Sequence, residues 1–523
     1  MRIFKGAKIT AFFMENQFEK KHLRALVSAH DKDALRAIVP SLVKAGIELV
    51  STGGTAVYLR DQGHSVTAVE DLTSYPSLLG GRVKTLHPAV FGGILCRSDS
   101  DNDQSDMQQY GIRPIDMVVA DLYPFSEMLA KGASHEEVIE NIDIGGISLI
   151  RAAAKNYRDV LVIPAADYFE ETARLIDQQG GATTLTDRRR MAALAMHISS
   201  HYDTAIFHYL NDGRHDIFKE SIGDSERLRY GENPHQQAVF YGNIDKTFEK
   251  LGGKPLSYNN LLDIDAAMRL IREFVSPTFA IIKHNNACGV ASRHTIEDAW
   301  KDALSSDPVS AFGGIFISNR HVGEELAASI REIFFEVLIA PSYDEKGLDI
   351  LTSRKNRIIL RSKPGILHDY SFRSLLNGVL WQSQDHKTTS PSQWQCVTLE
   401  GIHNKMQEDD LVLANTIVKH LKSNAIAIVK NNMLLGMGCG QASRVDALRQ
   451  AIKKAGEFDH ELTGAVMASD AFFPFPDCVE IADKAGIVAV IQPGGSKRDQ
   501  ESIDYCNQAG IAMVFTGNRH FRH

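Results

Sequence analysis

The sequence predicts an α/β protein with more than one domain, and two patterns support this fold class. In the first half, a strand at 24–27, an amphipathic helix over 31–45 and a strand at 47–50 follow one another. This alternation is typical of a parallel sheet with crossover helices. In the second half, residues 280–289 return in similar form at 427–436, and each copy is followed by a helical pattern and then by Ser-Ala-Phe-Gly-Gly at 310–314 or Ser-Asp-Ala-Phe-Phe at 469–473. Such internal similarity predicts two related α/β lobes.

The remaining elements of the first half suggest where its domain ends. Further strands are predicted at 117–120 and 160–163, and a long helix is predicted from Thr186 to about Asn211. We interpret the polar stretch at 211–216 as a linker. The domains are therefore expected at 22–210 and 211–523.

Composition excludes several classes of partner. With 57 Lys and Arg against 65 Asp and Glu, the net charge of −8 provides no general basic field for nucleic acid or an anionic membrane. No apolar run approaches the length of a membrane span. The six cysteines are scattered without a CxxC pair, which favours reduced thiols in the cytoplasm over disulfides or structural zinc.

The sequence does not predict a structure for two segments of the chain. Residues 340–408 are poorly patterned, and we leave them unplaced. The opening 21 residues carry charges that interrupt a short apolar patch, which makes them a poor secretory signal. We interpret them as an extension, with Met14 as an alternative initiator.

A Ser-Thr-Gly-Gly-Thr sequence follows the strand at 47–50 and precedes a helix expected to begin near Ala56. Its members are Ser51, Thr52, Gly53, Gly54 and Thr55. Backbone N–H groups and hydroxyls at such a helix start can surround a phosphate. The ordinary alternative is a tight turn made by the glycine pair.

The second motif is the pair Lys283-His284, which ends an apolar strand and leads into what we predict to be a loop of amides and small residues. Groups at the carboxyl end of an α/β strand face the usual ligand crevice. The pair can therefore combine anion binding with proton transfer. Alternatively, Lys283 is simply solvated and His284 is hydrogen-bonded at a strand end.

Five further motifs accompany this pair. They are Arg-Val-Lys-Thr-Leu-His-Pro at 82–88, Leu-Arg-Tyr-Gly-Glu-Asn-Pro-His-Gln at 228–236, Leu-Ser-Tyr-Asn-Asn at 256–260, Ser-Ala-Phe-Gly-Gly at 310–314 and Ser-Asp-Ala-Phe-Phe-Pro-Phe at 469–475. Together they resemble the bifunctional purine-biosynthesis family that joins AICAR transformylase to IMP cyclohydrolase, in that family's order from about Leu23 to the end. The resemblance implies an N-terminal methylglyoxal-synthase-like α/β domain followed by two cytidine-deaminase-like lobes.

The resemblance also implies the chemistry. Such an enzyme transfers a formyl group from 10-formyltetrahydrofolate, its cosubstrate, to AICAR and then closes formyl-AICAR to IMP with loss of water. The expected partners are therefore small molecules, namely AICAR, formyl-AICAR and folate, without nucleic acid, membrane or metal. A homodimer that shares the transformylase sites across its interface is expected as well.

For the cyclohydrolase, the resemblance assigns four residues to catalysis. Lys155 and Asp143 are expected to handle protons, whereas Lys84 and Tyr123 are expected to stabilise developing negative charge. Positioning of the two reacting groups supplies much of the remaining effect. The substrate-binding residues implied are Ser28, Lys32, Arg82, Thr85 and the five residues at 51–55.

For the transformylase, the resemblance makes His284 the proton-transfer residue, assisted by Lys283, with Asn424 near the reacting groups. The substrate-binding residues implied are Arg229, Tyr230, Asn260, Phe312, Gly313, Arg444, Phe472, Asp477 and Arg519. Arginine suits a phosphate because its planar fork gives two hydrogen bonds. Without the motif, the phenylalanines are more typical of a core.

Three positions depart from the family pattern. His30 replaces a usual serine, Asp121 a usual asparagine and Ala287 a usual proline.

Two other functions compete with this interpretation. A zinc deaminase would need His/Cys-x-Glu and Pro-Cys-x-x-Cys spacing, which does not occur around Cys288 or the later cysteines. A non-catalytic nucleotide sensor is the other alternative. Metal analysis distinguishes the first, and a turnover assay the second.

Overall fold

The computed structural model describes residues 19–79, 82–365 and 367–523. The chain divides into two compact units, with the boundary between Gly223 and Asp224. Met14 and the extension proposed around it lie outside the described residues. Each unit has its own buried apolar core.

The N-terminal unit is built on a five-stranded, fully parallel sheet. Numbered along the chain and given in sheet order, its strands are β4 (Val66–Ala68), β3 (Glu48–Ser51), β2 (Arg24–Ser28), β5 (Met117–Ala120) and β6 (Leu161–Ile163). A separate antiparallel pair joins β1 (Lys20–Lys21) to β7 (Ala182–Thr183). The strand order changes direction between β2 and β5, which is where α/β sheets bind ligands. The predicted strands and the parallel sheet are confirmed.

The helices of this unit differ from the prediction in two places. The helices are Val39–Lys44, Gly53–Asp61, Val69–Thr73, Pro88–Leu95, Asp101–Gln109, Phe125–Ala130, His135–Glu140, Gly145–Lys155, Phe169–Gln178 and Leu185–Asn211. The single helix expected over 31–45 is wrong, because a 3-10 turn at Asp33–Ala37 precedes a separate α-helix. Pro40 lies in the first turn of that helix, where its missing N–H costs nothing. The helix expected near Ala56 begins earlier, at Gly53.

The predicted long helix is confirmed as Leu185–Asn211, and the chain after it folds back along it. The Asn211 side-chain amide donates to the carbonyl of His215 over 3.1 Å, and His208 donates to the carbonyl of Lys219 over 2.8 Å. His201 and Ser221 are also hydrogen-bonded, at 2.9 Å. These contacts explain why the compact unit extends to Gly223, later in the chain than the boundary expected at 210.

The C-terminal unit contains a 12-stranded mixed sheet made of two matching halves. In sheet order, the first half is β10 (Phe248–Gly252), β15 (Ile358–Ser362), β14 (Val337–Ala340), β13 (Ile315–Ser318), β11 (Thr278–Lys283) and β12 (Asn286–Ser292). The second half is β20 (Met433–Gly438), β19 (Ile426–Lys430), β21 (Val466–Ser469), β22 (Ala489–Gln492), β23 (Ala512–Phe515) and β18 (Gln395–Cys396).

Each half has one antiparallel hairpin, three parallel strands and an antiparallel edge strand. The halves join where Ala291 of β12 pairs with Met433 of β20. The two related lobes predicted from the internal similarity are therefore confirmed. One part of that prediction is wrong, because residues 310–314 precede β13 whereas residues 469–473 begin at the end of β21. Those two segments are not equivalent in the lobes.

Helices cover both faces of this sheet. They are Tyr258–Ile271, Ile296–Ser306, Pro308–Ala311, Glu324–Arg331, Glu345–Thr352, Lys405–Lys419, Arg444–Glu457, Asp477–Lys484 and Asp499–Ala509. Alternate residues of β11 enter opposite cores, with Phe279 and Ile281 on one face and Ala280 and Ile282 on the other. The unplaced segment 340–408 supplies β15, β18 and an exposed hairpin of β16 (Tyr370–Leu375) and β17 (Gly378–Ser383). Another hairpin joins β8 (Ser225–Leu228) to β9 (Ala238–Tyr241).

Glu273 connects the helices of the two lobes through a partly buried ion pair. Its carboxylate accepts hydrogen bonds from Lys419 Nζ at 2.9 Å and from His420 Nε2 at 3.1 Å. Burial alone would raise the pKa of this carboxyl, but the hydrogen bonds from His420 and Lys419 lower it to about 2. Burial meanwhile lowers the pKa of His420, which leaves Lys419 as the balancing cation.

We expect Glu273→Gln to lower the free energy of unfolding by about 2 kcal/mol at pH 7. The folded protein favours the carboxylate, so this contribution is present above the ordinary pKa of 4.5 and is lost as the pH falls toward about 2. Denaturant unfolding at several pH values measures it. Glu249→Gln is the control, because its pair with Arg361 is exposed. Equal pH dependence in wild type and Glu273→Gln would contradict the assignment.

Candidate functional sites

In the N-terminal unit, two lysines approach a glycine pair at the start of a helix. Gly53 has a φ of 55°, and a Cβ built on it would lie 2.9 Å from Lys84 Nζ. A Cβ on Gly54 would lie 3.2 Å from Lys32 Cε. The first N–H groups of a helix have no partners within it, and its N-terminus attracts anions. The glycines therefore leave room for an anion beside two ammonium groups.

The hydroxyls of this loop make internal hydrogen bonds. Ser51 Oγ donates to the carbonyl of Val27 over 2.7 Å, and Thr52 Oγ1 donates to Glu70 over 2.8 Å. Thr55 Oγ1 donates to the carbonyl of Ala29 over 3.2 Å. These three side chains are buried and brace the loop. Their expected role in binding a ligand stays a prediction. The groups left for an anion are the backbone N–H groups and the lysines.

Asp143 lies at the start of another helix, Gly145–Lys155, beside Gly146. Its carboxylate accepts the Gly146 N–H at 2.6 Å. Burial raises the pKa of Asp143, and the N–H groups of Gly146, Ile147 and Tyr123 partly oppose that shift. Thr85 Oγ1 lies 3.4 Å from a Cβ built on Gly145, so the buried Thr85 adjoins the same helix start. A carboxyl with a raised pKa can act as an acid or a base.

The two departures in this unit contact the same region. The ring of His30 lies 5.0 Å from that of Tyr123, centroid to centroid. Asp121 accepts the Asp31 N–H at 3.0 Å, and its own N–H donates to the carbonyl of Ser28. Burial raises the pKa of Asp121, while the Asp31 N–H and His30 act against that rise. Asp121 thus fastens the loop after β2.

Two expected site residues stand apart from this group. Lys155 is in the last turn of an eleven-residue helix whose first turn adjoins Asp143, so about 15 Å of helix separates them. The structure therefore does not bring Lys155 to Asp143. Arg82 is exposed, and its guanidinium is paired with Glu140.

In the C-terminal unit, Lys283 and His284 lie in a β-hairpin. The prediction that a loop follows this pair is wrong, because β12 starts at Asn286 and the turn consists of His284 and Asn285. Their φ angles of 49° and 64° match the tight turn that suits twisted strands. Ala287 pairs with Ile282 in the hairpin. Proline suits such a paired position poorly because it has no N–H to donate to the sheet.

The residues after Ser310 contact Lys283 directly. Lys283 Nζ donates to the carbonyl of Phe312, and a Cβ on Gly313 would lie 3.4 Å from Nζ. Gly313 has a φ of 71°, where a side chain would be strained. Phe312 is 61% exposed and Phe472 is 37% exposed, which makes both available to a ligand.

A helix start lies against the other side of the turn. Asp263, in the helix Tyr258–Ile271, accepts the Asn285 N–H at 2.6 Å. Burial raises the pKa of Asp263, and the N–H groups of Asn285 and His284 act in the opposite sense. Asn260 closes the capping box of this helix. Asn259 donates to the carbonyl of Glu232 at 3.2 Å, which ties the motif at 228–236 to the helix.

Asn424 and Arg444 form one network at the same edge of the sheet. Arg444 Nη2 donates to Asn424 Oδ1 at 2.9 Å and to Asp470 Oδ1 at 2.8 Å. Its Nη1 donates to the carbonyl of Phe472 at 3.1 Å, and the side chain is only 8% exposed. Asn424 Nδ2 in turn donates to the carbonyls of Gln441 and Ala442. Both residues therefore hold the site together, although the sequence assigns Arg444 to the substrate.

The C-terminal tail completes this network. The Ser423 N–H donates to the carbonyl of Arg522 at 2.9 Å, and Arg522 Nη1 donates to the carbonyl of His420 at 2.7 Å. The His520 N–H donates to the carbonyl of Asp470 at 2.9 Å. Arg519 is exposed, and its guanidinium lies 4.7 Å from the centre of the Phe521 ring. The end of the chain thus fixes the loop that carries Asn424.

A single hydrogen bond connects this loop to the Lys283–His284 turn. The Lys422 N–H donates to Asn286 Oδ1 at 2.9 Å, and Asn286 Nδ2 donates to the carbonyl of His284 at 2.9 Å.

The remaining expected site residues of this unit are Arg229, Tyr230 and Asp477. Arg229 lies over the ring of Tyr230, 4.7 Å from its centre, and is exposed. Asp477 starts the helix Asp477–Lys484, where its carboxylate accepts the Cys478 N–H at 2.9 Å.

Sequence reasoning missed Asp263, Asn286 and Asp470. A signal existed for the first, because the same offset separates Asp263 from Asp410 and Lys283 from Lys430 in the repeated lobes. Asn286 and Asp470 lie inside recognised motifs, but their partners are distant in sequence.

Two features of the described residues concern a possible metal site and a possible membrane span. Across 19–79, 82–365 and 367–523, no group of three or more His, Cys, Asp or Glu side chains could hold a metal ion. In that same part of the chain, none of the helices combines the length and the apolar character that a membrane crossing requires.

Comparison with known proteins identifies the family. Residues 34–148 match the MGS-like domain, and residues 153–454 match the AICARFT/IMPCHase bienzyme. The chain belongs to the AICARFT/IMPCHase bienzyme family. It is accordingly an enzyme of purine biosynthesis with both AICAR formyltransferase and IMP cyclohydrolase activity. The N-terminal α/β fold expected from the sequence is confirmed as MGS-like.

Relatives in this bienzyme family match nearly the whole chain. The bifunctional purine biosynthesis protein PurH of Bacteroides thetaiotaomicron is 53% identical, over 97% of this chain and 100% of that protein. The PurH of Aquifex aeolicus is 46% identical over 96% and 100%, and that of Ruminiclostridium cellulolyticum is 44% identical over 96% and 99%.

Proposed function

We propose that each unit carries one of the two reactions. Formyl transfer from 10-formyltetrahydrofolate to AICAR takes place at the Lys283–His284 turn of the C-terminal unit. Closure of formyl-AICAR to IMP takes place beside Gly53 and Gly54. The observation that supports this division is that each unit has a group suited to proton transfer. His284 follows Lys283 in the C-terminal unit, and Asp143 lies at a helix start that adjoins Thr85, the chain neighbour of Lys84.

For formyl transfer, the amine of AICAR is a weak nucleophile because its electrons are delocalised into the ring and carboxamide. As it attacks the formyl carbon, His284 takes the amine proton, and the formyl oxygen becomes an oxyanion. Lys283 uses one of its three N–H donors on the Phe312 carbonyl, which leaves donors for the developing charge. Collapse of the tetrahedral intermediate then breaks the bond between the formyl carbon and the folate nitrogen. His284 returns its proton to that nitrogen, and tetrahydrofolate leaves.

The substrates are held by the exposed side chains around this turn. Arg229 and Arg519 are proposed to bind the AICAR phosphate, since both are exposed, whereas Arg444 is engaged with Asp470. The exposed rings of Phe312 and Phe472 suit the flat pterin of the folate, and Asp477 suits its polar edge. Asn424 acts here by fixing its loop, because both ends of its amide are hydrogen-bonded.

For ring closure, the carboxamide nitrogen of formyl-AICAR attacks the neighbouring formyl carbon, and the resulting carbinol then loses water. Asp143 is proposed to move the protons because burial raises its pKa. Lys84 and Tyr123 stabilise the oxyanion, while Lys32 and the helix start at Gly53 hold the phosphate. Holding both reacting groups on one molecule already removes much of the entropic barrier.

One coupled assay tests this function. The purified protein is supplied with AICAR and 10-formyltetrahydrofolate, and release of tetrahydrofolate and appearance of IMP are followed together. Both products should form, and formyl-AICAR supplied alone should give IMP without folate. Binding of nucleotide without turnover would instead indicate the sensor.

We also propose that the protein is a cytoplasmic homodimer. The free cysteines among the described residues suit a reducing compartment. At micromolar concentration, sedimentation velocity should give a mass near twice 57.9 kDa. A species of monomer mass at the concentration of the activity assay would contradict the dimer.

A further inference from the structure

The Lys283–His284 turn has a structural duplicate in the second lobe. There, Asn431 and Asn432 both have φ angles of 54° and join β19 to β20. Asp410, in the helix Lys405–Lys419, accepts the N–H groups of both at 2.8 and 2.5 Å. Asp263 contacts Asn285 from the corresponding helix of the first lobe. Each lobe therefore fastens its hairpin turn with one carboxylate.

The two turns share a second contact but differ in what they expose. Lys430 Nζ donates to the carbonyl of Thr463, as Lys283 does to that of Phe312. The second turn is covered by Arg293, whose Nη1 donates to the carbonyls of Asn431 and Asn432. The first turn instead carries the exposed imidazole of His284. One scaffold thus occurs twice, and only one copy presents a group for proton transfer.

The carboxylate has a physical task in this scaffold. The left-handed region costs most residues about 1–2 kcal/mol, and asparagine tolerates it better, so the cost in this turn falls mainly on His284. The Asp263 carboxylate offsets this cost by accepting the Asn285 N–H, which faces it across 2.6 Å. Without it, the turn can relax, and a shift of about 1 Å in a catalytic group can cost on the order of a hundredfold in rate.

We propose that Asp263 is a positioning residue for formyl transfer, which holds the His284 turn through the Asn285 N–H. The proposal rests on the proposed role of His284. The Asp263 carboxylate also interacts electrostatically with His284 and Lys283. The proposed role runs through the backbone, so loss of Asp263 changes the rate of the chemical step more than the binding of AICAR, and Asp263→Asn separates the two effects because it removes the charge and keeps an acceptor.

The duplicated turn supplies a matched control. Asp263→Ala should lower kcat for formyl transfer about tenfold or more, with KM for AICAR changed less than about threefold. Asp263→Asn keeps an oxygen that accepts the N–H, and it should recover most of the loss. Asp410→Ala removes the corresponding carboxylate and should lower the melting temperature at least as much, yet leave kcat within about twofold.

Two results would overturn the proposal. One is an unchanged kcat in folded Asp263→Ala, and the other is an equal loss of kcat in Asp410→Ala, which would indicate general destabilisation. A double variant with His284→Ala should be no slower than His284→Ala alone, because Asp263 acts through that residue. If His284→Ala itself retains full transfer, the proposed function fails. If His284→Ala is inactive while Asp263→Ala is normal, only the positioning role fails.

Discussion

Replacing His284 by alanine is expected to lower the rate of formyl transfer by about a hundredfold or more, the range of general acid–base catalysis. The change removes the imidazole from the turn and leaves the Lys283 contact with Phe312 in place. The AICAR amine then has to lose its proton without a positioned base. Single-turnover measurement of tetrahydrofolate release gives the rate of this step.

The same variant contains its own controls. AICAR affinity should change little, since Arg229 and Arg519 remain, and cyclisation of supplied formyl-AICAR should proceed at the wild-type rate. A small loss of transfer rate, or a loss accounted for by weaker AICAR binding, would remove His284 from the proposed role. Loss of both activities would indicate misfolding.

The second large effect is expected for Lys84→Ala in the cyclisation of formyl-AICAR. Lys84 Nζ approaches Gly53 at the helix start, where it can bind the phosphate or the developing oxyanion. Removing an oxyanion donor from such a site costs about a hundredfold to a thousandfold in rate. The appearance of IMP from supplied formyl-AICAR measures the loss, and formyl transfer should persist, so that formyl-AICAR accumulates in the coupled assay.

Lys155→Ala provides the comparison. The resemblance assigns both lysines to one site, but the helix Gly145–Lys155 keeps Lys155 far from Asp143. We therefore expect Lys155→Ala to be at least about tenfold more active in cyclisation than Lys84→Ala. If the two variants lose equal activity, Lys155 acts in the reaction and the substrate must reach it along the helix.

The fold was predictable where one local signal decided the structure. Buried strands such as β5 are short apolar runs between turn residues, and the repeated hairpin is visible as repeated sequence. The single helix over 31–45 was predicted wrongly because Pro40 lacks the N–H that a helix continuing from residue 31 would need there, so the chain starts a new helix with Pro40 in its first turn. The His284–Asn285 turn was read as a loop because its two left-handed residues are not glycine.

The candidate site was predictable by residue type but not by partner. Arginine at 444 suggested a phosphate, whereas its guanidinium binds Asp470, a pairing across 26 positions that no local pattern reveals. Asn424 likewise matches the family motif, but its neighbours come from the loop at 441–442. The catalytic role of Lys155 stays a prediction, because the sequence does not show that its closeness to Asp143 along the chain becomes distance along a helix.

The hydrogen bonds between Ser423 and Arg522 also constrain how the protein is made. Arg522 lies 99 residues after Ser423, so the loop of Asn424 is synthesised well before its partner. At elongation rates of about 5 to 20 residues per second, this delay is roughly 5 to 20 s. The loop of Asn424 is therefore expected to become fixed only after the segment around Arg522 has been synthesised and has docked, so the transferase site is completed late in the synthesis of its own domain.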